Sequence, residues 1–222
     1  MTEIIDLTYD IEEGMTTFNA YWHPAVHIDQ LGKHNSEGRE SRKLTLGTHC
    51  GTHVDAPSHF VQNGRTIDQI PLSKLIGKIT ILDFSHLGKN GVVTKEMLEK
   101  MNLTKRIMFK FGWGRNWKTD HFYRDYPFLS LPAAEYLVQK GVQLIATDTP
   151  SLDDSRIKLQ GKMLGSEEDS PVHKVILRNN LVLVEYIAHL DQVQDLAGWN
   201  IIVMPIRVKD GDGAPARVCI CK

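Results

Sequence analysis

One short segment of this 222-residue chain concentrates the side chains that could do chemistry. His49, His53, Asp55 and His59 lie within eleven residues and include three of the ten histidines of the chain. Imidazole nitrogens and carboxylate oxygens are the ligands of zinc and related divalent ions. The alternative is a set of ordinary surface or capping residues, but four such groups at this spacing favour a metal site.

The spacing of these residues constrains the local backbone. In a continuous strand His49 and His53 would lie roughly 13 Å apart, which is too far for one ion with bonds of ~2.1 Å to nitrogen. A helix would bring them together, but Gly51 and Pro57 disfavour a helix here. We therefore predict a bent segment that folds its side chains around an ion, with Gly47 and Gly51 allowing the turn.

Three polar residues further along the chain are candidates to complete the site. Asp148 follows a predicted buried strand, where a carboxylate can be functional or can cap the next turn, and the sequence leaves both open. His173 lies at the predicted start of a helix. Glu185 ends an apolar run, and a buried glutamate is costly unless it is paired or bound to a metal. Taken alone, the pattern at His173 or at Glu185 favours a structural role.

The elements that must position these residues alternate along the chain, which predicts an α/β fold with a mixed sheet. No linker or composition shift divides the chain, so we expect one domain over residues 1–222. The polar stretch from Gly161 to Ser170 is expected to be a surface loop. Apolar and alternating runs predict strands at residues 4–8, 43–46, 78–83, 107–111, 142–147, 181–185 and 199–204, and helices at 94–100, 131–140 and 171–177.

Composition argues against several classes of partner and location. The formal net charge of −1 gives no electrostatic case for nucleic acid or an anionic membrane as a partner. No apolar run approaches the ~20 residues that span a bilayer, and the acidic start does not resemble a signal peptide. Cys50, Cys219 and Cys221 do not form a disulfide framework, so we expect a reduced, cytoplasmic protein. Cys50 is expected to be a small buried filler.

The segment His-Cys-Gly-Thr-His-Val-Asp-Ala-Pro-Ser-His, residues 49–59, resembles the HxGTHxDxPxH signature of the cyclase-type metal-dependent hydrolases. That family includes kynurenine formamidases (arylformamidases) and isatin hydrolases. The resemblance covers nearly the whole chain, because it also takes in residues 5–8, 147–153 and 211–217. It implies the family's single-domain swivelling β/β/α fold, usually in a homodimer or larger homo-oligomer.

The resemblance also implies the ligand set of the metal site. His49, His53 and Asp55 would bind one divalent ion, and Asp55 would bridge to a second ion held by His173 and Glu185. Zinc is the first choice and manganese the second, because histidine and carboxylate ligands suit several divalent metals.

By the same resemblance, His59 would be the general acid/base in metal-dependent hydrolysis of an aryl formamide such as N-formylkynurenine. The formamidases place a Trp on the aryl substrate shortly after an early Met, whereas here Phe18 follows Met15, with Trp22 nearby. Phe18 and Trp22 are therefore the expected substrate-binding residues. Two alternatives remain open: hydrolysis of a cyclic amide such as isatin, and a closed metal site without turnover. A structural site of four ligands would not need His59, which favours catalysis.

Overall fold

A nine-stranded mixed sheet forms the centre of the computed structural model, which describes residues 3–18, 20–157, 166 and 168–222. Two smaller pairs, β2 with β3 and β7 with β9, lie outside this sheet. The strands are β1 (Ile4–Asp6), β2 (His27–Gly32), β3 (Ser41–Thr45), β4 (His53–Asp55), β5 (Ile76–Lys78), β6 (Thr80–Asp83), β7 (Val92–Val93), β8 (Arg106–Lys110), β9 (Phe128–Leu129), β10 (Leu144–Thr147), β11 (Val182–Glu185), β12 (Asn200–Pro205) and β13 (Gly213–Cys221). The main sheet has the order β5-β12-β13-β4-β11-β10-β8-β6, and β1 pairs with β13.

The helices are α1 (His34–Glu37), α2 (Leu72–Leu75), α3 (Lys95–Leu98), α4 (Leu131–Gln139) and α5 (Pro171–Arg178). Of these, α4 and α5 connect strands in the parallel part of the sheet. The path β8-α4-β10-α5-β11 makes two crossovers between parallel strands. α4 begins where the Ser130 side chain accepts the backbone N–H of Ala133 and proline occupies the first turn, both favourable at a helix start.

The parallel strands are apolar on both sides because both faces of the sheet are covered. On β8, Ile107 and Phe109 belong to the core cluster that includes the inner residues of α4 and α5, whereas Met108 belongs to the cluster on the other face. On β11, Leu183 faces the helical side and Val184 the other side. This double burial makes the parallel strands a rigid frame for residues at their carboxyl ends.

Strand β4 joins this parallel region to the antiparallel region, because it pairs with β11 on one side and with β13 on the other. In this register His53 is opposite Glu185, and Asp55 is opposite both Leu183 and Gly213. Side chains of directly opposed residues lie on the same face. The pairing therefore puts His53, Asp55 and Glu185 on the face that carries the helices.

Most predicted elements are present, but the bounds of one predicted strand are wrong. In the run at residues 78–83, Thr80–Asp83 form β6, whereas Lys78 ends β5, and the two strands lie at opposite edges of the sheet. Ile79 separates them, and its N–H is donated to the carbonyl of Trp199. An apolar run cannot reveal such a change of partner, because Ile79, which lies between the two strands, is itself apolar and buried.

The structure also contains strands that the sequence did not predict, among them β2 and β13. The predicted loop at Gly161 to Ser170 falls mostly outside the described residues, and Ser166 and residues 168–170 have no helix or strand. In the described part of the chain, no helix has both the length and the apolar character required to cross a membrane.

Candidate active site

The backbone from His49 to His59 changes form twice. Residues 49–52 form an irregular turn with Gly51 at a φ of 57°, in the left-handed region that favours glycine. His53 to Asp55 form β4, and residues 57–59 make a 3₁₀ turn. The predicted bent segment is therefore present, with a bend on each side of a short strand. β4 is extended because strands pair with it on both edges.

Asp55 lies at the centre of the cluster. Its Oδ1 is 2.7 Å from Nδ1 of His49 and 3.2 Å from Nε2 of His53, while its Oδ2 is 3.5 Å from Nε2 of His173. The two carboxylate oxygens thus face two different groups of histidines. This is the arrangement a carboxylate needs if it is to bridge two ions.

Glu185 and His173 complete the deeper half. Glu185 Oε1 lies 3.2 Å from His173 Nε2, and Oε2 lies 3.7 Å from His53 Nε2. His173 is oriented by Asp153, whose Oδ2 is 2.5 Å from Nδ1 of His173. Asp153 also accepts the backbone N–H groups of Val172 and His173 at the start of α5. The second ring nitrogen of His173 is thereby directed to Asp55 and Glu185.

The electrostatics of the cluster favour added positive charge. Burial opposes charging of His49, but the nearby carboxylates of Asp55 and Asp212 outweigh it and raise the pKa of His49 to about 10. Burial likewise opposes charging of His173, yet Glu185 foremost holds the pKa of His173 well above its ordinary value. Burial raises the pKa of Glu185, partly offset by His173. Buried carboxylates in this number require cations beside them.

The donor set fits a divalent metal ion. Ligand atoms of one tetrahedral ion with bonds of 2.0–2.1 Å lie ~3.4 Å apart. The contacts of His53 and His173 with Asp55 and Glu185 span 3.2 to 3.7 Å. Glu185 Oε1 is buried, and its 3.2 Å contact with Nε2 of His173 lacks the alignment of a hydrogen bond. Among the described residues, two triads have ligand atoms within 4.8 Å of one another, namely His49-Asp55-His59 and His53-Asp55-Glu185.

His59 lies at the outer side of the cluster. Its ring packs on that of His49, with centroids 3.9 Å apart, and its Nδ1 is 3.1 Å from Oδ2 of Asp212. The same Asp212 oxygen is 2.8 Å from Nε2 of His49. The His59 side chain is 21% exposed, against 2% for His53 and 7% for His173, so His59 is the most accessible of these three imidazoles.

A cavity of about 280 Å³ opens over the cluster. Phe18 and Trp22, the two aromatic residues predicted to contact substrate, both line it. Phe18 is half-buried, whereas Trp22 is 44% exposed. The full lining is Phe18, Trp22, His23, His49, His53, Asp55, His59, Phe60, Pro150, Ser151, Asp169, Ser170, His173, Glu185 and Tyr186. The structure therefore brings every sequence-predicted site residue to one cavity.

Asp148 and Cys50 have structural contacts. Asp148 accepts the backbone N–H groups of Phe111 and Trp113, so it organises the turn after β8. Burial raises its pKa to about 6, although these hydrogen bonds act in the opposite direction. Cys50 is buried against Met15, with the sulfurs 3.7 Å apart, in agreement with the predicted filler role.

Asp153 and Asp212, two carboxylates that contact histidines of the site, were not predicted. Both lie in stretches that resemble the family, but the sequence assigned neither a role. Asp153 follows the Thr-Pro-Ser turn after β10, and Asp212 lies between two glycines immediately before β13. Because glycine has no side chain, the glycines beside Asp212 let the backbone approach its neighbours closely. The sequence Gly-Asp-Gly could therefore have indicated a site residue. Which histidine each one contacts depends on long-range pairing.

A mixed α/β fold with a histidine–carboxylate cluster at its centre defines the class of protein, and the comparisons place the chain within it. The chain belongs to the cyclase family, because the family model described as "Putative cyclase" matches residues 5–154. It is 32% identical to a kynurenine formamidase from Bacillus thuringiensis subsp. konkukian over 221 residues, 99% of this chain and 97% of the relative. The predicted family resemblance is thus confirmed.

Solved structures show the same fold. An isatin hydrolase bound to the product analogue thioisatinate matches with a TM-score of 0.85 and 21% identity, covering 100% of this chain and 92% of the other. A predicted metal-dependent hydrolase from Bacillus stearothermophilus matches with a TM-score of 0.76 and 22% identity, covering 100% and 98%. The predicted α/β fold with a mixed sheet, of the cyclase-family type, is confirmed.

Proposed function

We propose that this chain is a metal-dependent hydrolase of a small aryl formamide, with N-formylkynurenine as the first candidate substrate. The observation that carries the proposal is the buried cluster of His53, Asp55, His173 and Glu185 at ligand spacing, with His59 beside it at a cavity. The 32% identity to a kynurenine formamidase over almost the whole chain supports the substrate class.

We assign His49, His53 and Asp55 as ligands of one divalent ion, and Asp55, His173 and Glu185 as ligands of a second. Zinc is the proposed metal and manganese the alternative, since both accept imidazole and carboxylate donors. When bound, such an ion lowers the pKa of its water towards neutrality and polarises the carbonyl under attack. The two oxygens of Asp55, which face different histidines, support the bridging assignment.

The chain's own residues supply the proton transfers and the substrate orientation. His59 accepts a proton from the attacking water and returns it to the leaving nitrogen, for which an imidazole is suited at neutral pH. Its exposure at the cavity, directly beside the ring of the assigned ligand His49, supports this role. Phe18 and Trp22 form an apolar wall on which an aryl ring packs.

The test is a steady-state assay on three compounds at fixed metal loading: N-formylkynurenine, isatin and a non-aromatic cyclic amide. We expect the largest kcat/KM on N-formylkynurenine, and loss of activity after chelation that added zinc or manganese restores. Best turnover on isatin would favour the second candidate, cyclic amide hydrolysis, which the shared fold with isatin hydrolase supports. No turnover on any compound by metal-loaded protein would favour the closed, non-catalytic metal site and contradict the proposal.

We also propose a homodimer or larger homo-oligomer. The outward face of the antiparallel region carries Ile76 and Met204 at 40% and 48% exposure, with Ile202 between them in register with Ile76. Ile4 on β1 is 65% exposed on the same face. An apolar sheet face of this kind is typical of an interface. Light scattering on purified protein tests this: a monomer would contradict it, and Ile202→Asp should dissociate the assembly.

The proposed location is the cytoplasm, with a small-molecule amide as the partner and neither nucleic acid nor membrane involved. All three cysteines are free thiols, which supports a reducing compartment. Fractionation of the source cells tests the location.

A further inference from the structure

We propose that Asp212 is a positioning residue that holds His59 in the tautomer with the proton on Nδ1, so that Nε2 is the nitrogen that exchanges protons with the reactants. The inference rests on the proposed function for the reaction, but its geometric part concerns only these two side chains. It gives a role to a carboxylate that neither the ligand set nor the aromatic wall uses.

The first support is the hydrogen-bonding geometry of the carboxylate. Asp212 Oδ2 lies 3.1 Å from Nδ1 of His59, and Asp212 Oδ1 accepts the hydroxyl of Thr48 at 3.0 Å. An ionised carboxylate only accepts, so the imidazole nitrogen that faces it must carry the proton. A neutral imidazole then has its unprotonated nitrogen at Nε2, which is the form a general base requires.

The second support is that the backbone of Asp212 is bound to the segment that carries His59. The carbonyl of Asp212 accepts the N–H of Ala56 at 2.9 Å, and the carbonyl of Ala56 accepts the N–H of His59 at 2.9 Å. The neighbouring carbonyl of Gly211 accepts the N–H of Ile67 at 2.8 Å. These bonds fix the separation of the two backbone segments that carry the carboxylate and the ring.

The third support is the close approach at Gly213. A Cβ at this position would lie 2.7 Å from the carbonyl oxygen of Val54 and 2.8 Å from Cε1 of His49. Real Cβ atoms do not approach so closely, so any other residue would push the 211–213 segment away from the histidines. The local sequence Gly-Asp-Gly is therefore what allows the carboxylate to reach two imidazoles.

The chemistry of this pair balances without any further reactant. His59 Nε2 takes a proton from the attacking water as the new C–O bond forms, and the resulting imidazolium is stabilised by the charge of Asp212. His59 then returns that proton to the leaving nitrogen as the C–N bond breaks, which yields the free amine and formic acid, and the acid releases its proton to solvent as formate. Asp212 keeps its charge throughout and takes no proton, as in other carboxylate–histidine pairs.

The test is a double-mutant cycle of Asp212→Asn with His59→Asn, because Asp212 also lies 2.8 Å from the proposed metal ligand His49. If Asp212 acts through His59, Asp212→Asn should lower kcat at least about ten-fold in the wild-type background, and by no more than His59→Asn alone. In the His59→Asn background the same change should alter kcat by less than about two-fold. KM and bound metal should stay near their wild-type values.

A second readout uses the leaving group. A less basic leaving nitrogen needs less help from a general acid. The loss caused by Asp212→Asn should therefore be smaller for 4-nitroformanilide than for formanilide, which a structural role would not produce. The matched control is Asp210→Asn, two residues away on the surface, at a positive φ that asparagine tolerates. This control should leave both rates unchanged.

The tautomer itself can be measured without activity, by nitrogen-15 NMR of the imidazole side chains in the wild-type protein at pH 8. We expect the proton of His59 on Nδ1. Finding it on Nε2, an equal loss of kcat in both backgrounds of the cycle, or loss of metal in Asp212→Asn would each overturn the inference. Lack of turnover by the wild type would instead contradict the proposed function, and the tautomer measurement would still decide the role of Asp212.

Discussion

Two of the carboxylate–histidine pairs in the site, Asp153 with His173 and Asp212 with His59, differ in their surroundings. Asp153 and His173 lie in the interior, with side chains 8% and 7% exposed, and Asp153 is bound at the start of α5 by two backbone N–H groups. Asp212 and His59 are more accessible, with side chains 41% and 21% exposed, and His59 lines the cavity. An aspartate–histidine pair thus occurs once in the interior, held by backbone hydrogen bonds, and once in a more exposed position.

The difference matches two different tasks. A metal ligand must keep one orientation, and a second carboxylate on its other ring nitrogen fixes both orientation and tautomer. A proton carrier must reach water and substrate, so it cannot be enclosed in the same way. The comparison therefore predicts that damage to the inner pair lowers metal affinity, whereas damage to the outer pair lowers kcat with the metal retained.

The largest effect is expected for His53→Ala. His53 is 2% exposed and lies 3.2 Å from Asp55 and 3.7 Å from Glu185, so no other side chain can take its position. Metal should be lost after dialysis, as measured by mass spectrometry, and activity with it. The matched control is His34→Ala on the exposed helix α1, which should keep both. Wild-type metal content in folded His53→Ala would contradict the ligand assignment.

For the outer pair, His59→Asn should lower kcat by about 10² to 10⁴-fold, the usual contribution of a general acid/base. Metal content should stay at the wild-type level, because the inner ligands are intact. Stopped-assay kinetics and metal analysis on the same sample check both halves. Loss of metal in parallel would indicate that His59 is a metal ligand. This outcome is worth measuring because ligand atoms of His49, Asp55 and His59 lie within 4.8 Å of one another.

For the inner pair, Asp153→Asn should weaken metal binding by about 10 to 100-fold, the usual effect of removing a carboxylate behind a ligating histidine. The kcat at saturating metal should change less. Competition with a fluorescent chelator measures the affinity. The control is Asp154→Asn, because Asp154 pairs with Arg156 and not with a histidine. Equal metal affinity in Asp153→Asn and the control would remove the distinction between the two pairs.

The sequence predicted the parts of the site that are close together along the chain. His49, His53, Asp55 and His59 stand out because several ligand types at short spacing constrain one another. His173 and Glu185 were candidates from their positions at a helix start and a strand end, but their role as metal ligands followed from the family resemblance. Glu185 meets His53 only through the pairing of β4 with β11. The partners of Asp153 and Asp212 could not be predicted, because 20 and 153 residues separate them from the histidines that they contact.

The fold shows the same limit. Strands β8, β10 and β11 were predictable because apolar runs bounded by polar residues reflect burial on both faces. The break between β5, which ends at Lys78, and β6, which begins at Thr80, was not predictable. The hydrophobic pattern reflects burial and does not show which strand pairs with a given residue. β13 was missed because it begins with Gly-Ala-Pro, which is atypical of strands. That the whole chain is one domain stays a prediction.

The smallest effect is expected at the mouth of the cavity, for Phe18→Ala. Packing of an aryl ring on Phe18 is similar in the ground and transition states, so its loss should raise KM and leave kcat nearly unchanged. An aromatic contact is worth about 0.5 to 1.5 kcal/mol, which corresponds to roughly a 2- to 10-fold rise in KM.

Phe18→Trp, which introduces the residue that formamidases carry, should match or lower the wild-type KM. A non-aromatic cyclic amide is the matched substrate control, because it has no aromatic ring to pack on Phe18 and its KM should not respond to either change. A fall in kcat with constant KM in Phe18→Ala would instead tie Phe18 to the chemical step, and the distinction between binding wall and proton-transfer pair would fail at this residue.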